Sequence, residues 1–155
     1  MKKIVYLLFP FLLTLLLAPV FASEETELYD FALKLYQRGD YVKAVDEFTK
    51  ILTLGFSGGF DSNLNYASVY YNRGLCFKKL LMWEKAADDF SMVIGLFPND
   101  PDAYYQRSGC FAMLGMQKEA KIDLDYACDL DDKYCTEEML DAKKEKKDKE
   151  QWWIK

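Results

Sequence analysis

The chain has 155 residues, 51% hydrophobic, 29% charged and 16% aromatic, with a formal charge of −5. That length suits one domain-sized core, and the balance excludes a disordered or low-complexity chain. The absence of histidine excludes imidazole as base, nucleophile or metal ligand, and an acidic chain is a poor match for nucleic acid, so no nucleic-acid partner is expected.

In chain order, residues 1–22 come first. Lys2 and Lys3 precede an uncharged apolar run from Ile4 to Leu17, and Val20 and Ala22 are small residues spaced for cleavage after Ala22. This is the three-part form of a secretory signal peptide. Pro10 interrupts the run, which is shorter than the roughly 20 residues of a spanning helix. No stable membrane anchor is therefore expected after cleavage, and an inner-membrane anchor is the alternative. The short lysine pair before a leucine-rich run points to a periplasmic or secreted protein, in a compartment that permits disulfides.

An internal repeat then sets the fold class. SVYYNRGLCF (Ser68 to Phe77) aligns with DAYYQRSGCF (Asp102 to Phe111) at an offset of 34 residues, and Trp83 to Val93 aligns with Gln117 to Ala127 at the same offset. An earlier copy, Leu28 to Leu52, is offset by 42, and its eight surplus residues fall at Gly55 to Ser62. Each copy reads as two short amphipathic helices. In the first copy Leu28, Phe31, Ala32 and Leu35 recur at helical spacing, as do Ala44, Val45, Phe48, Ile51 and Leu52. Arg38-Gly39-Asp40 and Leu114-Gly115-Met116 separate the helices of a pair, Pro98 closes the second copy, and Asp100-Pro101 opens the next helix. The expected architecture is all-α: three helix-turn-helix copies at 25–58, 67–100 and 101–134, an inserted loop and helix start at 59–66, and a terminal helix with a tryptophan tail at 135–155. A single pair cannot bury its apolar face alone, whereas stacked neighbours can. Thr136 is expected to cap the last helix, with Glu137 and Glu138 in its first turn and Met139, Leu140 and Ala142 covering the end of the last pair. Trp152 and Trp153 either fold back onto that end or form a docking tail.

Catalytic and metal chemistry find little support. Gly55-Phe56-Ser57-Gly58-Gly59 has the spacing of a hydrolase elbow, but a helix precedes it and there is no histidine partner, so it reads as a loop. Asp129 to Asp132 lack the glycine and distant glutamate of a calcium loop. Cys76 and Cys110 read as buried thiols, and a four-thiol zinc site is not expected without a CxxC. Four cysteines allow three full pairings, among which spacing does not choose. No catalytic residue, cofactor or metal is expected.

The copies resemble the tetratricopeptide repeat family. The resemblance is carried by Ala32, Gly74 and Ser108; by Leu35, Phe77 and Phe111; by Gly39-Asp40-Tyr41; by Ala44, Ala86 and Ala120; by Phe48, Phe90 and Leu124; and by Pro98. It covers about Glu25 to Lys133, with departures at Leu81-Met82-Trp83 and at Asp132. It implies an α-solenoid with a capping helix and a concave groove lined by the first helix of each copy. By position that groove takes Tyr29, Leu33 and Tyr36, then Ser68, Tyr71, Leu75, Lys78 and Lys79, then Asp102, Tyr105, Ala112 and Met113. Tyr29, Tyr36, Tyr71, Lys78, Lys79 and Tyr105 are the candidate protein-binding residues, since tyrosine offers a large rigid area with a polar tip. The family's lysine-asparagine clamp for carboxylate tails is absent, because Tyr29 and Leu33 stand at its first positions. Arg73 and Arg107 are expected to pair with second-helix carboxylates such as Asp89 and Asp123. ACDLDDKYC resembles the cysteine pair that closes a helical corner in some secreted relatives, which implies a Cys128–Cys135 disulfide. The function implied is a non-catalytic adaptor or scaffold that binds a peptide or helix of a partner protein in its groove. The alternative is an assembly subunit of a cell-envelope complex that docks or self-associates as a homo-oligomer through its C-terminal end, with Trp152 and Trp153 as the contact.

Overall fold

The computed structural model describes residues 27–54 and 62–151, with the side chains of 62–65 and 148–151 left aside. The expected signal peptide, the Gly55 to Gly59 loop and Trp152 and Trp153 all lie outside the described residues. Every regular element among the described residues is helical. The chain divides into two compact units, residues 1–80 and 81–155.

In the first unit α1 (described from residue 27 to 37) is followed by α2 (Tyr41–Leu54) and α3 (Ser62–Lys79). The apolar stripes read from the sequence supply its core: Ala32, Leu35, Ala44, Phe48, Ile51, Val69 and Cys76 cluster together, and Phe48 has no exposed surface. The small side chain of Ala32 lets the helices approach closely, and Gly74 is likewise buried. Helix α3 begins inside the segment expected to hold a loop and a helix start. It starts at Ser62, and nothing between Ser62 and Arg73 is a helix-breaking glycine or proline.

The second unit holds α4 (Trp83–Leu96), α5 (Pro101–Met113), α6 (Gln117–Leu130), a one-turn 3-10 helix (Asp132–Tyr134) and α7 (Glu137–Gln151). Helix α5 packs on both α4 and α6. Ala86, Ala87, Phe90, Val93, Ala103, Cys110, Ala120, Ala127 and Cys128 are buried here. Asp100 caps α5, its carboxylate accepting from the N–H groups of Asp102 (3.0 Å) and Ala103 (3.4 Å) ahead of Pro101 in the first turn.

The turns within the pairs share one geometry. Gly39 (φ 84°) and Gly115 (φ 78°) are left-handed, and each closes a two-bond cap: Asp40 N–H to Leu35 C=O with Gly39 N–H to Tyr36 C=O, and Met116 N–H to Phe111 C=O with Gly115 N–H to Ala112 C=O. The corresponding residue of the middle copy is Leu81, also left-handed at φ 59°. A leucine there carries a steric cost of about 1–2 kcal/mol that glycine avoids. Leu81 is 69% exposed, so little packing is lost with its side chain. Leu81→Gly should stabilise the protein by about 0.5–1 kcal/mol, the relief exceeding the extra unfolded-state entropy of glycine. Urea denaturation checks this, and an unchanged or lowered midpoint refutes it.

Helix α7 begins as expected, with Met139 N–H donating to Thr136 Oγ1 at 3.3 Å. Its covering role is smaller than expected. Met139 is half-buried, but Leu140 and Ala142 are exposed and no described residue of α7 is buried. The helix has too few apolar positions on any one face to lie down on the unit.

Candidate functional site

Tyr29, Tyr71 and Tyr105 occupy the same place in the first helix of successive copies, at offsets of 42 and 34 residues. Their surroundings differ. In the first unit Tyr29 is half-buried, its ring edge-on to Phe48 at 5.9 Å and its hydroxyl accepting from Asn72 Nδ2 at 2.8 Å. Burial pushes its phenol pKa up. Asn72 also donates to the Ser68 carbonyl, so Tyr29 is fixed to α3. Tyr36 is half-buried edge-on to Tyr41 at 5.5 Å, and burial again raises its pKa. Tyr71 and Lys78 are half-buried on α3, and Lys79 is exposed at its end. An open cleft of about 500 Å³ between α1 and α2, with Phe31, Lys43, Glu47 and Lys50 on its walls, mixes both signs of charge.

In the second unit Tyr105 is 44% exposed and stacks on Tyr134 at 5.0 Å with a 35° tilt. The Tyr134 hydroxyl donates to Asp102 Oδ1. Lys133 Nζ lies 3.4 Å from Asp131, 4.0 Å from Asp102 and 4.5 Å above the Tyr134 ring. Contact with Tyr134, then the charge of Asp102, pushes the Lys133 ammonium up to about 12. The Lys133 backbone N–H, donating at 3.0 Å, holds Asp131 below the usual carboxylate range. Two expected groove positions, Asp102 and Tyr105, are thus joined by Tyr134 and Lys133, which lie outside the first helices from which the groove was read. The remaining hint in the sequence is that Tyr134 directly precedes Cys135 in the corner.

The arginines form a repeated link. Arg107 makes a two-point contact with Asp123 on α6, at 2.7 and 2.8 Å, and donates to Ser91 Oγ on α4 at 2.9 Å. Asp123 raises the Arg107 pKa. Its guanidinium lies 5.6 Å from the Tyr104 ring and 5.5 Å from that of Phe111. Arg73 repeats this in the first unit, donating to Thr49 Oγ1 at 3.1 Å with the Tyr70 and Phe77 rings at 5.5 and 5.7 Å. The expected Arg107–Asp123 pair is present. Guanidiniums so occupied are struts between helices rather than anion receptors.

Cys76 and Cys110 are buried and outside any disulfide, as expected. The sulfurs of Cys128 and Cys135 are at disulfide distance, 2.06 Å. Lys143 of α7 reaches back to this corner, 2.7 Å from the Cys128 carbonyl, 2.8 Å from Asp132 and 3.7 Å from Cys135 Sγ. Among the described residues no group of three or more Cys, Asp or Glu is placed to hold a metal ion, and no helix is long and apolar enough to cross a membrane.

Helix pairs of this length with small residues at their crossings make an all-helical repeat fold. Residues 68–100 match the tetratricopeptide repeat family model. The human mitochondrial import receptor subunit TOM70 is 26% identical over 111 residues, covering 72% of this chain and 18% of the receptor. The chain therefore spans under a fifth of the length of that curated relative. Among solved structures, the first tetratricopeptide domain of Spaghetti (RPAP3) bound to the HSP90 peptide SRMEEVD superimposes with a TM-score of 0.60 at 21% identity, covering 78% of this chain and 88% of that one. PcrH in complex with the chaperone-binding region of PopB gives a TM-score of 0.61 at 22% identity, covering 70% and 81%. Residues 68–100 thus match a single tetratricopeptide repeat, and the described residues share the all-helical repeat fold of those structures.

Proposed function

We propose that the chain is a non-catalytic protein-interaction module, exported to the periplasm or beyond by residues 1–22, that binds a peptide or helix of a partner protein on the first-helix faces of its copies. The observation that carries this reading is the recurrence of tyrosine at one first-helix position, Tyr29, Tyr71 and Tyr105, with the last still exposed. Aromatic side chains at a rigid helix face suit recognition because little entropy is lost when they are covered. Structures of this fold hold protein segments: an HSP90 peptide on the RPAP3 domain and a region of PopB on PcrH. The ligand is a different one from the carboxylate tail, since Tyr29 and Leu33 replace the clamp's first residues.

The test is capture from periplasmic extract by the processed protein and by the Tyr71→Ala/Tyr105→Ala variant, with helicity checked by circular dichroism. Each truncated contact is expected to cost about 2 kcal/mol, roughly a thirtyfold loss of affinity per residue. If both baits recover the same proteins equally, the reading fails. Deletion of residues 151–155 separates the alternative: an end-docking subunit loses its assembly there, whereas a first-helix binder keeps its partner.

A further inference from the structure

Tyr134 touches α5 only through its side chain, by the ring on Tyr105 and the hydroxyl on Asp102. Its backbone belongs to a single 3-10 turn, which is too short to hold itself in place. The turn is held by its ends. Asp131 caps it from α6, and Cys135, next in sequence to Tyr134, sits against Cys128 in the last turn of α6. Downstream, no described residue of α7 is buried, and α7 reaches the corner through Lys143, whose ammonium lies 2.7 Å from the Cys128 carbonyl and 2.8 Å from Asp132. The cysteine pair adds a covalent tether to these polar ones, and it joins the residue next to Tyr134 directly to α6.

We propose that Tyr134 and Lys133 form a movable part of the second unit's recognition surface, seated over Tyr105 and Asp102 by a Cys128–Cys135 disulfide and released when a dithiol reduces that bond. The chemistry fits the placement of the two sulfurs. Cys128 is buried, whereas Cys135 is only half-buried, so an incoming thiolate meets Cys135 first. Attack on Cys135 Sγ forms a mixed disulfide, and the electron pair of the broken bond leaves on Cys128, which takes up a proton. The second thiol of the reagent then displaces Cys135 as a thiolate, with the Lys143 ammonium 3.7 Å from that sulfur to stabilise it. The reagent ends as a cyclic disulfide and the protein as two thiols. With the loop open, the one-turn helix loses its anchor, Tyr134 leaves the Tyr105 ring, and Asp102 loses a hydrogen-bond donor. The surface thus has two forms: a tyrosine pair beside a Lys133–Asp102 contact when oxidised, and a bare Tyr105 beside an uncovered carboxylate when reduced.

The inference rests on the reading above for Tyr105 as a contact residue, but its test reads ring contact and thiol state rather than capture, so the two fail separately. The full processed chain, purified from an oxidising compartment, is compared before and after treatment with dithiothreitol. Expected before treatment are two alkylatable thiols in denaturant, Cys76 and Cys110, and a nuclear Overhauser contact between the Tyr105 and Tyr134 rings, assigned with Tyr105→Phe and Tyr134→Phe. Expected after treatment are four thiols, loss of that contact, and amide exchange across residues 131–136 faster by about tenfold or more, with unchanged far-ultraviolet dichroism. Four free thiols at the outset overturn the proposal, as does a ring contact that survives complete reduction. Cys135→Ser repeats the comparison without reductant, and a retained ring contact in that variant is equally fatal.

Discussion

Truncating Phe48 to alanine is expected to cost about 3–5 kcal/mol, a large part of the stability of a chain this size. Phe48 has no exposed surface, lies in the middle of the first unit's core cluster, and supports the edge of the Tyr29 ring. Its neighbours Ala32, Ala44 and Cys76 are short and come from three different helices, so they cannot close over the void. Stacked-repeat stability is close to a sum of local terms, so the damage should concentrate where the ring is missing. Hydrogen exchange should lose protection first in α1, α2 and α3. Chemical denaturation measures the total, and a loss below about 1 kcal/mol would show that the cluster relaxes around the gap.

Asp123→Ala should be nearly as damaging, at about 3 kcal/mol. The side chains of Arg107 and Asp123 are 19% and 6% exposed, and their two-point contact supplies the arginine with a carboxylate partner. Removing that carboxylate leaves a guanidinium against the Tyr104 and Phe111 rings with the Ser91 hydroxyl as its remaining partner. Arg107→Met combined with Asp123→Leu should recover most of the loss, because neither charge is then left without its counterpart. Urea denaturation of the single and double variants decides the matter. A double variant as unstable as the single would mean that the ion pair itself, and not the stranded arginine, carries the energy.

Much of the fold was legible because it depends on local periodicity. Ala32, Ala44, Phe48, Ala86 and Phe90 sit at helical spacings that leave them one side to face, and all five are buried. Gly39 and Gly115 announced their turns, and Thr136 its cap. Arg107 was readable as a partner of Asp123 through the family resemblance, which implies a second-helix carboxylate for that arginine. What escaped depends on contacts between residues far apart in the chain. The Asn72–Tyr29 hydrogen bond joins residues 43 apart, and Tyr134 meets Asp102 across 32, from one end of the third copy to the other. Helix α7 was misjudged for a different reason: its few apolar residues suggested a lid, but Leu140 and Ala142 point away from the unit.

The arginine strut also sets α7 apart from the first helices of the copies. Arg73 and Arg107 each reach a hydroxyl on the second helix of the preceding copy, Thr49 and Ser91. Continued by another 34 residues, the acceptor position falls on Asp125 and the donor position on Asp141. Two carboxylates would then face each other where a guanidinium and a hydroxyl belong, and such an arrangement repels. Helix α7 thus follows the third copy without the residue types that would repeat the strut.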